Sequence, residues 1–130
     1  VQTDLSDSSF TQQLVQAGFE TKTPTIWIGD GLMAYLPEEG AKNLLKTIRN
    51  FTADESCFAF DVPSSHKLPG WLGSSPLYKE LERFGMAPVF SVKKPELFVK
   101  ECGWKTVLVN EKGDQIVNYS KLKKRMLPHW

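Results

Sequence analysis

Two apolar runs, residues 25–28 (Thr-Ile-Trp-Ile) and residues 56–62 (Ser-Cys-Phe-Ala-Phe-Asp-Val), flank a segment that begins after Pro37. In that segment Ala41, Leu44, Leu45 and Ile48 fall at i, i+3, i+4 and i+7, one apolar stripe of a helix. Glu38 and Glu39 open it, and Lys46 and Arg49 lie near its end, an order that suits the helix dipole. A strand, a helix and a second strand in this order imply a mostly parallel sheet with helices packed on its faces. Residues 56–62 are apolar at successive positions, as expected of an interior strand covered by helices on both sides.

The rest of the chain extends the alternation. Ser9 and Gln12 have the spacing of a capping box, and Phe10, Leu14 and Ala17 follow at helical intervals up to Gly18, a natural stop. Residues 63–75 are rich in Pro, Gly and Ser and read as a long loop, a length often given to function. Pro76 opens a helix with Leu77, Leu81 and Phe84 on one face, closed by Gly85. A further helix starts at Pro95, uses Leu97, Phe98 and Cys102, and stops at Gly103. Residues 104–110 read as a final strand and residues 1–5 as a first one. Residues 111–130 form a tail without clear periodicity.

At 130 residues the chain is expected to form one domain. Sixteen basic and fifteen acidic residues leave no electrostatic argument for nucleic acid, and the cluster Lys121, Lys123, Lys124, Arg125 reads as a solvated tail. Cys57 and Cys102 have no metal-ligand spacing and read as reduced core residues of an intracellular protein, with the cytoplasm the expected compartment and an organelle the alternative. No apolar run approaches ~18 residues, so no membrane span is expected. The chain begins with Val1 rather than Met, as a processed chain or a fragment does.

The crossover rule places the loops after Asp4, Asp30 and Asp61 along one edge of the sheet. Ligands of open parallel sheets sit there, beyond the carboxyl ends of the strands. Asp30 lies between Gly29 and Gly31, which let a backbone approach a ligand closely, although Gly-Asp-Gly is also an ordinary turn. Asp4 reads equally as a ligand group or a turn cap, and Asp61 as a structural strand-end cap. His66 falls in the long loop. Tyr35 and Trp71, near loop positions, are candidates for an apolar pocket, with the core the stronger reading for each. No catalytic group, metal site, nucleophile elbow, phosphate loop or dinucleotide fingerprint stands out.

Val1-Gln2-Thr3-Asp4-Leu5, then Ala17-Gly18-Phe19, then Pro24-Thr25-Ile26-Trp27-Ile28-Gly29-Asp30-Gly31-Leu32-Met33-Ala34-Tyr35-Leu36-Pro37 resemble the leucine carboxyl methyltransferase superfamily. The likeness is to its branch of S-adenosylmethionine-dependent O-methyltransferases and extends over about residues 1 to 110. That family has a Trp-x-x-Glu-Gly-Leu-x-x-Tyr-Leu-Pro signature, in which the acid here is Asp30. It often has Arg after Asp-Leu, where this chain has Ser6.

The resemblance implies the C-terminal portion of a class I, Rossmann-like methyltransferase sheet. Its parallel strands carry helices on both faces, and the first two strands, with their glycine-rich loop, have no counterpart here. It implies S-adenosyl-L-methionine as cofactor, with Asp4 and Leu5 at its adenine end and Asp30 beside it. The acceptor implied is a small-molecule or peptide carboxylate or hydroxyl, with Tyr35, His66 and Trp71 as candidate pocket residues. A single partial domain of this kind is expected to be inactive alone and to pair with a complementary N-terminal half or with a second copy. The alternative is a non-catalytic interaction module derived from such an enzyme.

Overall fold

The computed structural model describes residues 2–5, 9–63, 75–85 and 87–110. It is mixed α/β: helix α1 (Phe10–Gln16), strand β1 (Ile26–Gly29), a 3-10 turn (Met33–Tyr35), α2 (Glu38–Phe51), β2 (Cys57–Phe60), α3 (Pro76–Arg83) and α4 (Pro95–Glu101). β1 and β2 pair in parallel, with Ile26 opposite Cys57 and Gly29 opposite Phe60.

Helix α2 forms for the reasons its sequence gives. Pro37 is extended (φ −56°, ψ 152°) and ends the preceding turn, Glu38 and Glu39 occupy the first helical turn, and Arg49 the last. Its stripe of Ala41, Leu44, Leu45 and Ile48 is buried, and Leu45 and Met33 are the largest fully buried side chains. Phe10, Phe90, Val92, Phe98 and Cys102 complete the core. On the exposed side Lys42 Nζ meets Glu38 at 2.8 Å and Glu101 of α4 at 3.9 Å. The hydrogen bond to Glu38 is the main reason its ammonium is held above the ordinary lysine range.

The strands have one covered face. Side chains alternate along a strand, so Trp27 shares a face with Phe58 and Phe60, all partly buried against the core. Ile26 and Ile28 point the other way and are 74% and 76% exposed, next to exposed Cys57 and Ala59. Helices therefore cover only one face of this sheet among the described residues, not both as expected. Cys57 is correspondingly not a core residue: Phe58 and Phe60 take the inner positions of β2 and alternation turns Cys57 outward. Cys102 is buried as expected.

Two further expectations are corrected. Residues 2–5 and 104–110 are described but not in strands, so the sheet has two strands among the described residues. Val107 and Leu108 are 89% and 67% exposed, so among the described residues nothing covers these side chains. Ser9 precedes α1 but does not cap it with its side chain, because its backbone is already helical (φ −77°, ψ −9°). Its hydroxyl instead accepts from Gln13 Nε2 at 3.0 Å. The helix stops are as read from the sequence, with Gly18, Gly85 and Gly103 all at positive φ. Most of the long loop, His66 and Trp71 within it, Ser6, Met86 and residues 111–130 lie outside the described residues.

Aromatic side chains join the layers. Phe19 packs between Trp27 (5.3 Å) and Phe51 (5.1 Å). Trp104 meets Phe58 edge-on at 5.9 Å, donates its indole N–H to Leu45 O at 3.0 Å, and carries the Arg49 guanidinium over its ring.

Candidate functional site at the carboxyl ends of the strands

The register that pairs Gly29 with Phe60 brings the residues that follow each strand, Asp30 and Asp61, to the same edge of the sheet. Gly31 takes φ +63°, a left-handed conformation that a side chain disfavours, and turns the chain from β1 into the 3-10 turn. Its N–H donates to Asp61 Oδ1 at 2.6 Å. Asp61 is thus a strand-end cap, as its sequence position suggests, and what it caps is the loop carrying Asp30. Asp30 itself is exposed.

Beyond the loop, Met33 and Ala34 are buried and anchor the 3-10 turn, while Tyr35 remains 51% exposed. A third segment crosses this edge. The N–H groups of Val89 and Phe90 both donate to Ala34 O, at 2.8 and 3.2 Å, and Val92 N–H donates to Pro63 O at 3.0 Å. Residues 89–92 therefore strap the 3-10 turn that follows β1 to the chain just after β2. From the sequence, residues 63–75 and the segment around Met86 to Ser91, which overlaps this strap, are expected to build a lid or acceptor pocket. The strap's backbone attachment to Ala34 and Pro63 has no sequence signal, because any residue but proline supplies the donor.

The other candidates fall as follows. Leu5 packs against the core and Asp4 beside it is exposed. Tyr35 follows Asp30 by one short turn. His66 and Trp71 are outside the described residues. A surface hollow of about 370 Å³ is lined by strap residues Phe90 and Val92 with Glu38, Leu97 and Glu101 among others, but neither Asp30 nor Asp61 borders it. Among the described residues no group of three His, Cys, Asp or Glu side chains could hold a metal ion, and no helix is long and apolar enough to cross a membrane.

Chemically, this edge offers two exposed carboxylates, one of them engaged in holding a loop, with an open glycine backbone at Gly31, where a Cβ would meet nothing within 4 Å. Such a set accepts hydrogen bonds from the hydroxyl or amino groups of a ligand. The comparison with known families falls on the same stretch of chain.

Residues 1–49 match the leucine carboxyl methyltransferase family. The match includes Asp4, Leu5, Asp30 and Tyr35 and stops short of β2. A protein of Saccharopolyspora erythraea named "Putative S-adenosyl-L-methionine-dependent methyltransferase" is 41% identical over 61 residues, 47% of this chain and 21% of its own. One of Mycolicibacterium paratuberculosis with the same name is 44% identical over 62 residues, 48% of this chain and 20% of its own. A similarly named Streptomyces coelicolor protein is 33% identical over 70 residues, 54% of this chain and 23% of its own. The similarity to the methyltransferases therefore spans about a fifth of each relative's length. No solved structure matches the chain.

Proposed function

We propose that this chain forms one wall of the methyl-donor site of an S-adenosyl-L-methionine-dependent methyltransferase of the leucine carboxyl methyltransferase family. One observation carries the reading: the acid of the family-matched segment, Asp30, stands exposed at the carboxyl end of β1, where parallel sheets bind ligands. In this reading Asp30 and Asp4 accept hydrogen bonds from the cofactor, and Leu5 offers apolar contact at its adenine end. Tyr35, His66 and Trp71 border the acceptor.

The cofactor, when bound, supplies an electrophilic methyl group on a sulfonium sulfur. The chain's own task is orientation: the loop, the 3-10 turn and the strap fix the line along which an acceptor oxygen approaches. A carboxylate acceptor is already ionised and needs no base, whereas a hydroxyl acceptor does. The described edge supplies no convincing base, which favours a small-molecule or peptide carboxylate.

The opposite wall of the site comes, in this proposal, from a complementary methyltransferase segment, and the chain by itself is inactive. The exposed Ile26 and Ile28 support such a partner, since that face is apolar and uncovered among the described residues. The same face supports a second reading, a non-catalytic interaction module derived from such an enzyme.

Isothermal titration with S-adenosyl-L-methionine separates the two. The full chain is titrated alone and mixed with the N-terminal part of the Saccharopolyspora erythraea relative. Binding in the mixture that is lost in the Asp4→Ala, Asp30→Ala double variant is the expected result. A mixture that associates through the outer face yet never binds the cofactor supports the interaction module instead.

A further inference from the structure

We propose that Asp61 is a positioning residue of this site: it fixes the Gly29-Asp30-Gly31 loop through the Gly31 amide and so sets where Asp30 presents its carboxylate. This rests on the methyltransferase reading above and adds a residue outside the family-matched segment.

Among the described residues the loop has little else to hold it. Two of its three residues lack side chains, and glycine loses more backbone freedom on ordering than any other residue. A Cβ placed on Gly31 would meet nothing within 4 Å, so side-chain packing does not confine the loop there. Gly29 is buried and registered against Phe60, which fixes the entrance of the loop. Its exit is fixed by the 2.6 Å bond from Gly31 N–H to Asp61 Oδ1, a charge-assisted bond to a carboxylate. Asp61 is placed to accept that bond because it follows the β2 residue paired with Gly29. The two neighbouring acids thus divide the work. Asp61 is committed to the loop, and Asp30, between the fixed entrance and the fixed exit, stays exposed for a ligand.

The test compares Asp61→Ala with Asp61→Asn, which keeps a side-chain oxygen able to accept the bond. In the full chain, amide hydrogen exchange is followed at Gly31, with Ile48 and Phe58 as internal controls for the fold. Asp61→Ala is expected to speed exchange at Gly31 about tenfold or more while the controls hold, and Asp61→Asn to restore most of the protection. Unchanged exchange at Gly31 in Asp61→Ala overturns the proposal. The cofactor titration of the mixture is then repeated with both variants. A weakening of about tenfold for Asp61→Ala, largely rescued in Asp61→Asn, is the expected result. Wild-type binding that is indifferent to Asp61→Ala overturns the positioning role and leaves the methyltransferase reading intact. A wild-type mixture that does not bind cofactor overturns both.

Discussion

The indole N–H of Trp27 donates to Thr52 Oγ1 at 3.2 Å, and this hydroxyl donates onward to Ser56 Oγ at 2.9 Å. Ser56 Oγ also accepts the Thr25 N–H at 3.0 Å. Two hydroxyls at the turn between α2 and β2 are thereby tied to β1 and to the residue just before it. Thr52 and Ser56 are buried, so the loss of either hydroxyl strands a partner away from water.

Thr52→Val keeps the shape and removes the hydroxyl, leaving the Trp27 N–H without its acceptor. We expect a loss of about 1–3 kcal/mol in urea unfolding, with Thr52→Ser close to wild type. Equal stability of the Val and Ser variants would show that the hydroxyl chain contributes nothing.

Truncations should separate the two faces of the molecule. Leu45 is fully buried, and Leu45→Ala is expected to cost about 2–5 kcal/mol. Ile28, at 76% exposure, should tolerate Ile28→Thr within about 0.5 kcal/mol. A comparable loss at both positions would mean that the outer face of β1 is covered in solution.

The two glycines of the site fail for different reasons. Gly31→Ala forces a side chain into left-handed backbone and should cost about 1–2 kcal/mol, with Gly31→Asn milder. Gly29→Ala instead brings a Cβ to 3.2 Å from the Phe58 ring. Its signature is a shift of the Phe58 ring resonances, which Gly31→Ala should leave in place.

The cysteines should differ in labelling, and Cys102 should add a pH dependence to stability. Alkylation of the native chain is expected at exposed Cys57, with Cys102 reacting only on unfolding. Burial pushes the Cys102 thiol above its ordinary value of 9.0. Above that pH the unfolded chain has lost this proton while the folded chain keeps it, so stability falls as pH rises toward the higher folded value. Below it the thiol is protonated in both states and adds no slope. Denaturation at several alkaline pH values should show a flatter decline for Cys102→Ala than for wild type.

Much of this architecture is legible in the sequence where local and tertiary signals agree. The α2 stripe, the glycine stops and the parallel pairing of β1 with β2 all follow from period and punctuation. The orientation of Cys57 does not, because a run apolar on both faces carries no mark of which face the core takes. Phe58 and Phe60, being larger, decide it. The apolar residues 104–110 show the same limit from another side: strand propensity describes a surface that fits a sheet, and a ladder needs a neighbour. At the site, the acids at the strand ends can be read from the chain order. The backbone bonds of residues 89–92 cannot, since they involve no particular side chain.

Those bonds also imply an order of events. Ala34 O and Pro63 O belong to stretches about thirty residues apart, and a single short segment can reach both only when β1 and β2 already lie side by side. Each contact closes a long loop, at an entropic cost that must be met before the contact gives anything back. The strand pair and the α2 stripe can therefore assemble early and the strap late. The strap over the edge that carries Asp30 and Asp61 thus depends on the strand pair and cannot outlast it.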